Sequence, residues 1–449
     1  MKSQLIRAIF ACIILIIAIV MCVSCNGSPK DEVASQMVAD EEPTAVLTEE
    51  TTEPPLVVEE PKFLSAPDDT YDCQDDSVLC VYKGKTANDF DSVYVYYSYL
   101  GYEAYSQSEK NGSEFATLVK GSQMAHIYYL ADRGELSVIT SATAADTLPP
   151  KSDIDPDVEQ AIKVTQMRDS AHVNGMCYVI ELTDGSFIIY DGSYADRTRQ
   201  LYQFLNKEAE DGEIVIRAWV LTHSHEDHYP AFSEFASKYA KNVDLGYVIV
   251  APIDSEAALI TGGDTYFNEG LAADIAKFDG TKTVYAHTGM EFTFGDLNME
   301  ILLAPDDLFK DESHELNFNN SSIVSRLYGY DYSFLLTGDI GSSGSRWLMS
   351  VYGEYLRSDI CQVSHHGVED VPLEFYEVVK APILYYPCNQ MLYDLDSRFN
   401  DVRASLREKE YTKEILIAGL GRYTREWGKT FDENAPLSMP GYVPPMSEE

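Results

Sequence analysis

Apolar and polar positions divide the chain into stretches of different grain. Residues from Ala8 to Val23 are continuously apolar, whereas from Asn26 to about Lys62 no helical or strand period is sustained. That second stretch is mostly Pro, Glu, Thr, Val and Ser, and reads as a disordered, self-repelling spacer over 26–62. Folded patterning begins at about residue 63. An apolar run at Val78–Tyr82 is followed by a helix that starts at Asn88-Asp89, carries apolar and aromatic residues to Leu100, and stops at Gly101. Strand-like runs follow at Glu114–Val119, His126–Leu130 and Leu136–Thr140. The sum is a small α+β accessory domain over 63–150, set off by Leu148-Pro149-Pro150.

A second, larger domain spans 160–430, with a tail over 431–449. Strands at Tyr178–Leu182 and Ser186–Tyr190 flank Thr183-Asp184-Gly185, a compact hairpin signal. A helix over Ala195–Glu208 leads to the apolar strand Ile214–Val220, and a second helical pattern runs from Tyr229 to Tyr239. Further strands are predicted at Tyr247–Ala251, Val284-Tyr285 and Asn298–Leu303, at Phe334–Leu336, and at Asp359–Ser364. Strands alternating with helices, plus hairpins, predict an α/β fold of two sheets faced by helices.

Between the strand at 214–220 and the helix at 229–239 stands Leu221-Thr222-His223-Ser224-His225-Glu226-Asp227-His228, with three of the nine histidines. On a strand continued through this stretch, His223 and His225 point to one face and can hold one cation. Asp227 and His228 follow after strand geometry has ended and can turn toward a second point. Imidazole nitrogens and a carboxylate suit zinc, manganese or iron. Two other apolar strands end in donors: Phe334-Leu335-Leu336-Thr337-Gly338-Asp339, and the run that ends in His365-His366-Gly367. Asp339 is the bridging carboxylate of choice, one oxygen to each cation. His365, as the first histidine off its strand, is the favoured last ligand, with His366 lining the pocket or taking its place.

Charge and cysteines restrict the picture. The formal charge is −40, and residues 31–62, with ten acids against Lys62, account for −9 of it. A polyanion gains no general attraction from such a chain, so steering of nucleic acid would need metals or a local basic patch. Of eight cysteines, Cys12, Cys22 and Cys25 fall in the first segment. Cys73 and Cys80 can pair, while Cys177, Cys361 and Cys388, in apolar runs, read as buried thiols. Tyr94, Tyr96, Tyr97, Tyr99, Tyr102 and Tyr105 fit a helix packed on its sheet or, alternatively, a stacking platform for sugars. His126 reads as a packed histidine.

Three resemblances add to this. Lys2 and Arg7 before the apolar run, then Ser24-Cys25, resemble the signal and lipobox of bacterial lipoproteins, although Cys22 stands where that family usually has leucine. The resemblance implies an anchor segment over 1–25, lipidation at Cys25 and a place at the cell surface; an uncleaved N-terminal anchor is the other reading. His-x-His-x-Asp-His after an apolar strand resembles the signature of the metallo-β-lactamase superfamily. This implies an αββα sandwich with two divalent ions, zinc or manganese, and a supporting role for Asp191 at the end of its strand. The three blocks together with Asn319-Asn320-Ser321-Ser322 resemble, over roughly 165–425, the soluble domain of the DNA-uptake channel of competent bacteria (ComEC type). Asn320 is then a pocket residue. Within the superfamily a further histidine often precedes the bridging aspartate. Here His314 is the candidate, whereas His287 reads as a turn residue. No histidine follows His366, so leaving-group protonation has no assigned residue.

The expected site is His223, His225 and Asp339 for one ion and Asp227, His228, Asp339 and His365 for the other. Two such ions acidify a shared water, giving hydroxide at neutral pH for attack on phosphorus or carbonyl carbon, with Asp227 and His228 as catalytic ligands. The expected enzyme is a surface-anchored phosphodiesterase acting on an envelope polymer or small molecule, nucleic acid being disfavoured by charge. Hydrolysis of a carboxylic ester, lactone or phosphorylcholine-type ester is the alternative. From another class, the chain is a glycan-binding lipoprotein with a vestigial metal site.

Overall fold

The structure is a computed structural model that describes residue 61 and residues 64–73, 75–151, 162–209, 212–251, 270–305, 319–368, 371–395, 400–429 and 434–444. Cys25, the apolar segment, the spacer up to residue 60 and His314 lie outside the described residues. Among the described residues, no helix is long and apolar enough to cross a membrane.

The N-terminal sheet is built from β1 (Asp69–Asp72), β2 (Ser77–Lys83), β3 (Glu103–Lys110), β4 (Ser113–Lys120), β5 (Gln123–Leu130) and β6 (Glu135–Ser141), in the order β1-β2-β6-β5-β4-β3. The sequence pattern predicts β2, β4, β5 and β6 but not β1 or β3. Both omitted strands lie at the sheet edges, where polar sequences such as Asp-Thr-Tyr-Asp are tolerated and guard against edge pairing. Helix α1 (Ala87–Tyr99) buries Phe90, Val93 and Tyr97 against Tyr82, Leu118 and Ile127 on one face.

On the opposite face, Leu79, Val81, Phe115, Tyr128 and Ile139 share a core cluster with Trp347 and Tyr352 of the larger domain. The described residues within Pro55–Glu449 therefore belong to one compact unit. Tyr97 and Tyr102 are buried and Tyr94, Tyr96 and Tyr105 half-buried, leaving Tyr99, 89% exposed, as the open ring among the six. Packing has consumed the side chains that a stacking platform would need. His126 is fully buried, with Nδ1 2.9 Å from Thr117 Oγ1 and Nε2 2.8 Å from the Thr288 carbonyl. Cys73 and Cys80 do not join in a disulfide as the sequence allowed, because they are thiols packed in different core clusters.

The larger domain holds two seven-stranded sheets. The first comprises β7 (Lys163–Gln166), β8 (Cys177–Glu181), β9 (Phe187–Asp191), β10 (Ile214–Val220), β11 (Val243–Val250), β12 (Lys282–Tyr285) and, beyond β7, β20 (Tyr423–Glu426). The second runs in sequence order through β13 (Glu291–Phe294), β14 (Leu297–Leu303), β15 (Val324–Gly329), β16 (Tyr332–Leu336), β17 (Ile360–Gln362), β18 (Ile383–Tyr386) and β19 (Glu414–Ile417). Both faces of the central strands are covered, and that is why they read as unbroken apolar runs. On β9, Ile188 and Tyr190 join the cluster between the sheets, while Phe187 and Ile189 join a cluster with Leu201 of α2 (Thr198–Glu208) and Phe232 of α3 (Pro230–Tyr239). Helices α4 (Ser342–Tyr352), α5 (Leu373–Val379) and α6 (Asn400–Glu408) belong with the second sheet, contributing Leu348, Phe375 and Leu406 to its outer cluster.

Strands β9 to β12 are parallel, as are β16 to β19. In parallel sheets the carboxyl ends of neighbouring strands lie at one edge, where ligands are commonly bound. The loops after β9, β10, β16 and β17 carry the residues that the sequence singled out.

Candidate metal centre

The His-rich stretch is not a continued strand. Leu221 N still bonds the Ile249 carbonyl at 3.0 Å, but Thr222 donates its N–H to Asp191 Oδ1 and its hydroxyl to Asp191 Oδ2, both at 2.7 Å. Asp191, in left-handed backbone with φ 52°, places its carboxylate where a neighbouring strand would pair, and this ends the ladder. His223 and His225 therefore stand on a loop, yet their rings still meet, with His223 Nε2 3.1 Å from His225 Nδ1. A turn closed by His228 N to the His225 carbonyl (3.1 Å) then reverses the chain into α3, which has Pro230 in its first turn.

That turn swings Asp227 and His228 inward. His228 Nδ1 lies 2.7 Å from Asp191 Oδ2; because a carboxylate only accepts, Nδ1 carries the hydrogen and Nε2 faces the cluster. Asp339 arrives from the second sheet. Buried Gln362 accepts from Thr337 N and Oγ1, each at 2.8 Å, and donates to the Gly338 carbonyl at 2.9 Å, tying the end of β16 to β17. Gly338 has φ 54°, and a Cβ there would stand 2.7 Å from Ser322. That close approach lets Ser322 Oγ accept the N–H of Asp339 at 2.9 Å.

Asp339 Oδ2 is the common point of the site. It lies 3.1 Å from His228 Nε2, 3.2 Å from His366 Nε2, 3.8 Å from His223 Nε2 and 3.9 Å from His365 Nε2. Between the two adjacent histidines, His366 occupies the inner place that the sequence reading gave first to His365. His366 Nε2 is 2.8 Å from Asp227 Oδ2, and its Nδ1 is held 2.7 Å from the Pro387 carbonyl. Both residues have left-handed backbone, φ 45° and 55°, and through this turn the second histidine faces inward. His365 stands at the rim, 21% exposed, with Nε2 3.4 Å from Asn319 Nδ2. Asn320 Oδ1 accepts from Gly341 N at 2.9 Å, and so pins the loop that carries Asp339. His287 lies elsewhere: it closes a turn and pairs with Asp75, Nε2 to Oδ2 3.0 Å.

Sequence reasoning missed Asn174 and Tyr194. Asn174 Nδ2 donates to Asp227 Oδ2, and the Tyr194 hydroxyl donates to Asn174 Oδ1 at 3.1 Å. An isolated amide and a loop tyrosine carry no spacing signal.

Asp227, His228, Asp339 and His366 present one donor atom each, all within 4.8 Å of one another and all on buried residues. Among the described residues, Asp339 Oδ1 is buried with no hydrogen-bond partner, as fits a carboxylate that uses both oxygens for ligation. Taken without an ion, the set pairs buried carboxylates with buried imidazoles. Burial pushes the carboxyls of Asp227 and Asp339 up, but the charges of His228 and His366 outweigh it and hold both below the usual range. Burial pushes His228 and His366 down, yet their carboxylate neighbours hold His228 well above its ordinary value and bring His366 to about 9. His223 and His225 are lowered, first by burial and then by the charge of His228. Protons held between carboxylates are what a divalent cation displaces on binding. The donor set, nitrogen and carboxylate oxygen, fits zinc, manganese or iron.

A family model described as the Metallo-beta-lactamase superfamily matches residues 172–382. Among solved structures, the metallo-beta-lactamase fold protein YhfI from Bacillus subtilis is similar at 11% identity and TM-score 0.37, over 59% of this chain and 99% of that one. CmlA, a diiron beta-hydroxylase from Streptomyces venezuelae, is similar at 14% identity and TM-score 0.34, over 61% and 55%. A metallo-beta-lactamase from Staphylococcus aureus is similar at 18% identity and TM-score 0.28, over 43% and 51%. The chain thus spans about half the length of each of these last two. No curated protein matches. With its mixed α/β sandwich and its buried histidine–carboxylate cluster at the strand ends, the chain over residues 172–382 matches the Metallo-beta-lactamase superfamily model and has that fold.

Proposed function

We propose that the protein is a dinuclear metal-dependent hydrolase of phosphodiester bonds, tethered outside the cytoplasm through Cys25. The observation that supports it best is the clustering of donors around Asp339: His228 and His366, with Asp227 beside them, form one buried group with it, and His223, 3.8 Å from Asp339 Oδ2 and 3.1 Å from His225, offers the donors for a second ion. His366 replaces His365 in this assignment because its Nε2 is nearer to Asp339 Oδ2, 3.2 against 3.9 Å, and lies 2.8 Å from Asp227 Oδ2. Two divalent cations, zinc or manganese, would supply Lewis acidity toward water and toward the substrate's departing oxygen.

The chain's own residues do the rest. Asp191 and the Pro387 carbonyl fix the ring orientation of His228 and His366. In this reading His365, 21% exposed at the rim, is the histidine that meets substrate. The resemblance of the ordered motifs to the ComEC-type domain favours phosphodiesters, and the net charge of −40 favours a small or envelope-bound substrate over bulk nucleic acid. Tethering is supported by the Lys2–Cys25 pattern.

The test is the rate of hydrolysis of a chromogenic phosphodiester with manganese or zinc added, beside Asp227→Ala. The expected result is a metal-dependent rate that falls sharply in the variant, whose fold is intact. Full metal-dependent activity in Asp227→Ala would sink the assignment.

A further inference from the structure

We propose that Asn174 is a positioning residue for Asp227, and that Tyr194 fixes the orientation of its amide, so that the pair sets how tightly the cation at Asp227, His228, Asp339 and His366 is held. The proposal rests on the reading that a cation binds there. An asparagine amide presents a donor at one end and an acceptor at the other. Here both ends are assigned by chemistry: Asp227 Oδ2 can only accept, so Nδ2 faces it, and the Tyr194 hydroxyl at 3.1 Å donates to Oδ1. Burial, with the charge of Asp227, pushes that phenol up to about 12, so it keeps its proton across the working range.

Each member is braced. Asn174 pairs with Cys388 in an isolated bridge, Gly175 N bonds the Pro387 carbonyl at 3.1 Å, and Met176 N bonds the carbonyl of Asp227 itself at 3.0 Å. The amide and the carboxylate it holds are thus joined through backbone as well as side chain. The ring of Tyr194 stacks on His172, centroids 3.8 Å apart at 21°. His172 Nδ1 is 2.9 Å from Asp169 Oδ2, which also accepts from Ser193 Oγ at 2.9 Å. A line of fixed groups therefore runs from the half-buried His172 to the carboxylate.

Its effect on chemistry is rotational. Asp227 Oδ2 also faces His366 Nε2 at 2.8 Å and His228 Nε2 at 3.8 Å. Without the amide the carboxylate can turn about its Cβ–Cγ bond, and ligation must then pay for fixing it. Partners of this kind typically change metal affinity by about 10- to 100-fold.

The experiment is zinc titration of the full-length protein against a chromogenic chelator, for wild type, Asn174→Ala, Tyr194→Phe and Asp227→Ala, with kcat and KM on the chromogenic phosphodiester in parallel. The expected result is an Asn174→Ala protein that binds its first ion as wild type does and its second about 10- to 100-fold more weakly. Its kcat at limiting zinc falls and recovers with excess zinc, while KM is little changed. Tyr194→Phe, which keeps the stacked ring and removes only the donor, shifts the second affinity in the same direction by less. Wild-type affinities for both ions in Asn174→Ala and Tyr194→Phe, with the second ion lost in Asp227→Ala, would overturn the positioning role and leave the metal centre standing. Two ions retained in Asp227→Ala would overturn the metal-centre reading, and the positioning role with it.

Discussion

The interior holds charged groups in two places, and they are neutralised differently. At the junction between the N-terminal sheet and the second sheet, buried Lys110 reaches Glu291 and, at 3.3 Å, Glu300; Arg326 Nε lies 2.6 Å from Glu300 and the Tyr355 hydroxyl 2.9 Å from it. Positive side chains of the protein itself offset those carboxylates. At the strand ends, Asp191, Asp227 and Asp339 are as deeply buried, yet among the described residues no lysine or arginine ion pair reaches them, and their positive neighbours are histidines. A buried carboxylate is costly unless its charge is met. One cluster balances its carboxylates with the chain's own cations, and the other is the candidate site for a cation from outside.

That contrast can be broken in graded steps. Lys110→Met leaves Glu291 and Glu300 with one cation fewer in a buried setting, and the expected loss is about 3–5 kcal/mol of unfolding free energy. Denaturant titration measures it. Zinc stoichiometry should not change, since the metal cluster uses none of these residues, and a variant that lost metal but not stability would reverse the roles given to the two clusters. Asp191→Asn keeps size but leaves one acceptor oxygen for His228 Nδ1–H and the two Thr222 donors, and turns an NH2 group toward one side of that buried set. Zinc affinity or turnover should fall by roughly 10- to 100-fold, with a stability loss in chelator of about 1–3 kcal/mol.

The smallest effect concerns pH at the junction. Burial raises the carboxyl of Asp75, but the charge of His287 and hydrogen bonds from His287 and Ser77 outweigh it, so Asp75 is held below its ordinary 3.8. A carboxyl depressed on folding contributes stability that is present in full above about pH 4 and is lost as pH falls further through its folded value. Asp75→Asn should therefore flatten the acid limb of a stability–pH curve below about pH 4 and lower stability at neutral pH modestly. An unchanged acid limb would show that the pair contributes nothing.

The same contrast explains what could be read from sequence. The central strands were legible because both faces are buried, as in Phe187-Ile188-Ile189-Tyr190. β3, Glu103–Lys110, was not, because an edge strand need not be apolar. His223, His225, Asp227 and His228 announce themselves by spacing, and Asp339 by ending an apolar strand. The inward turn of His366 was hidden, since it depends on two consecutive left-handed residues that no pattern marks. Asn174 was illegible for a related reason: its role arises from the bridge to Cys388, more than two hundred positions away in the chain. The Lys110–Glu300 contact is also remote in sequence, so the shared core of the two parts was not anticipated from the Pro-Pro break between them.

The central claim is that Asp339 joins two cations at the strand ends. The most direct measurement is the number of zinc or manganese ions bound per full-length chain, for wild type and for Asp339→Ala. The account predicts two ions in the wild-type protein and, in the variant, at most one weakly held ion. A wild-type protein that binds no ion, or a variant that holds two as tightly as wild type, would contradict it.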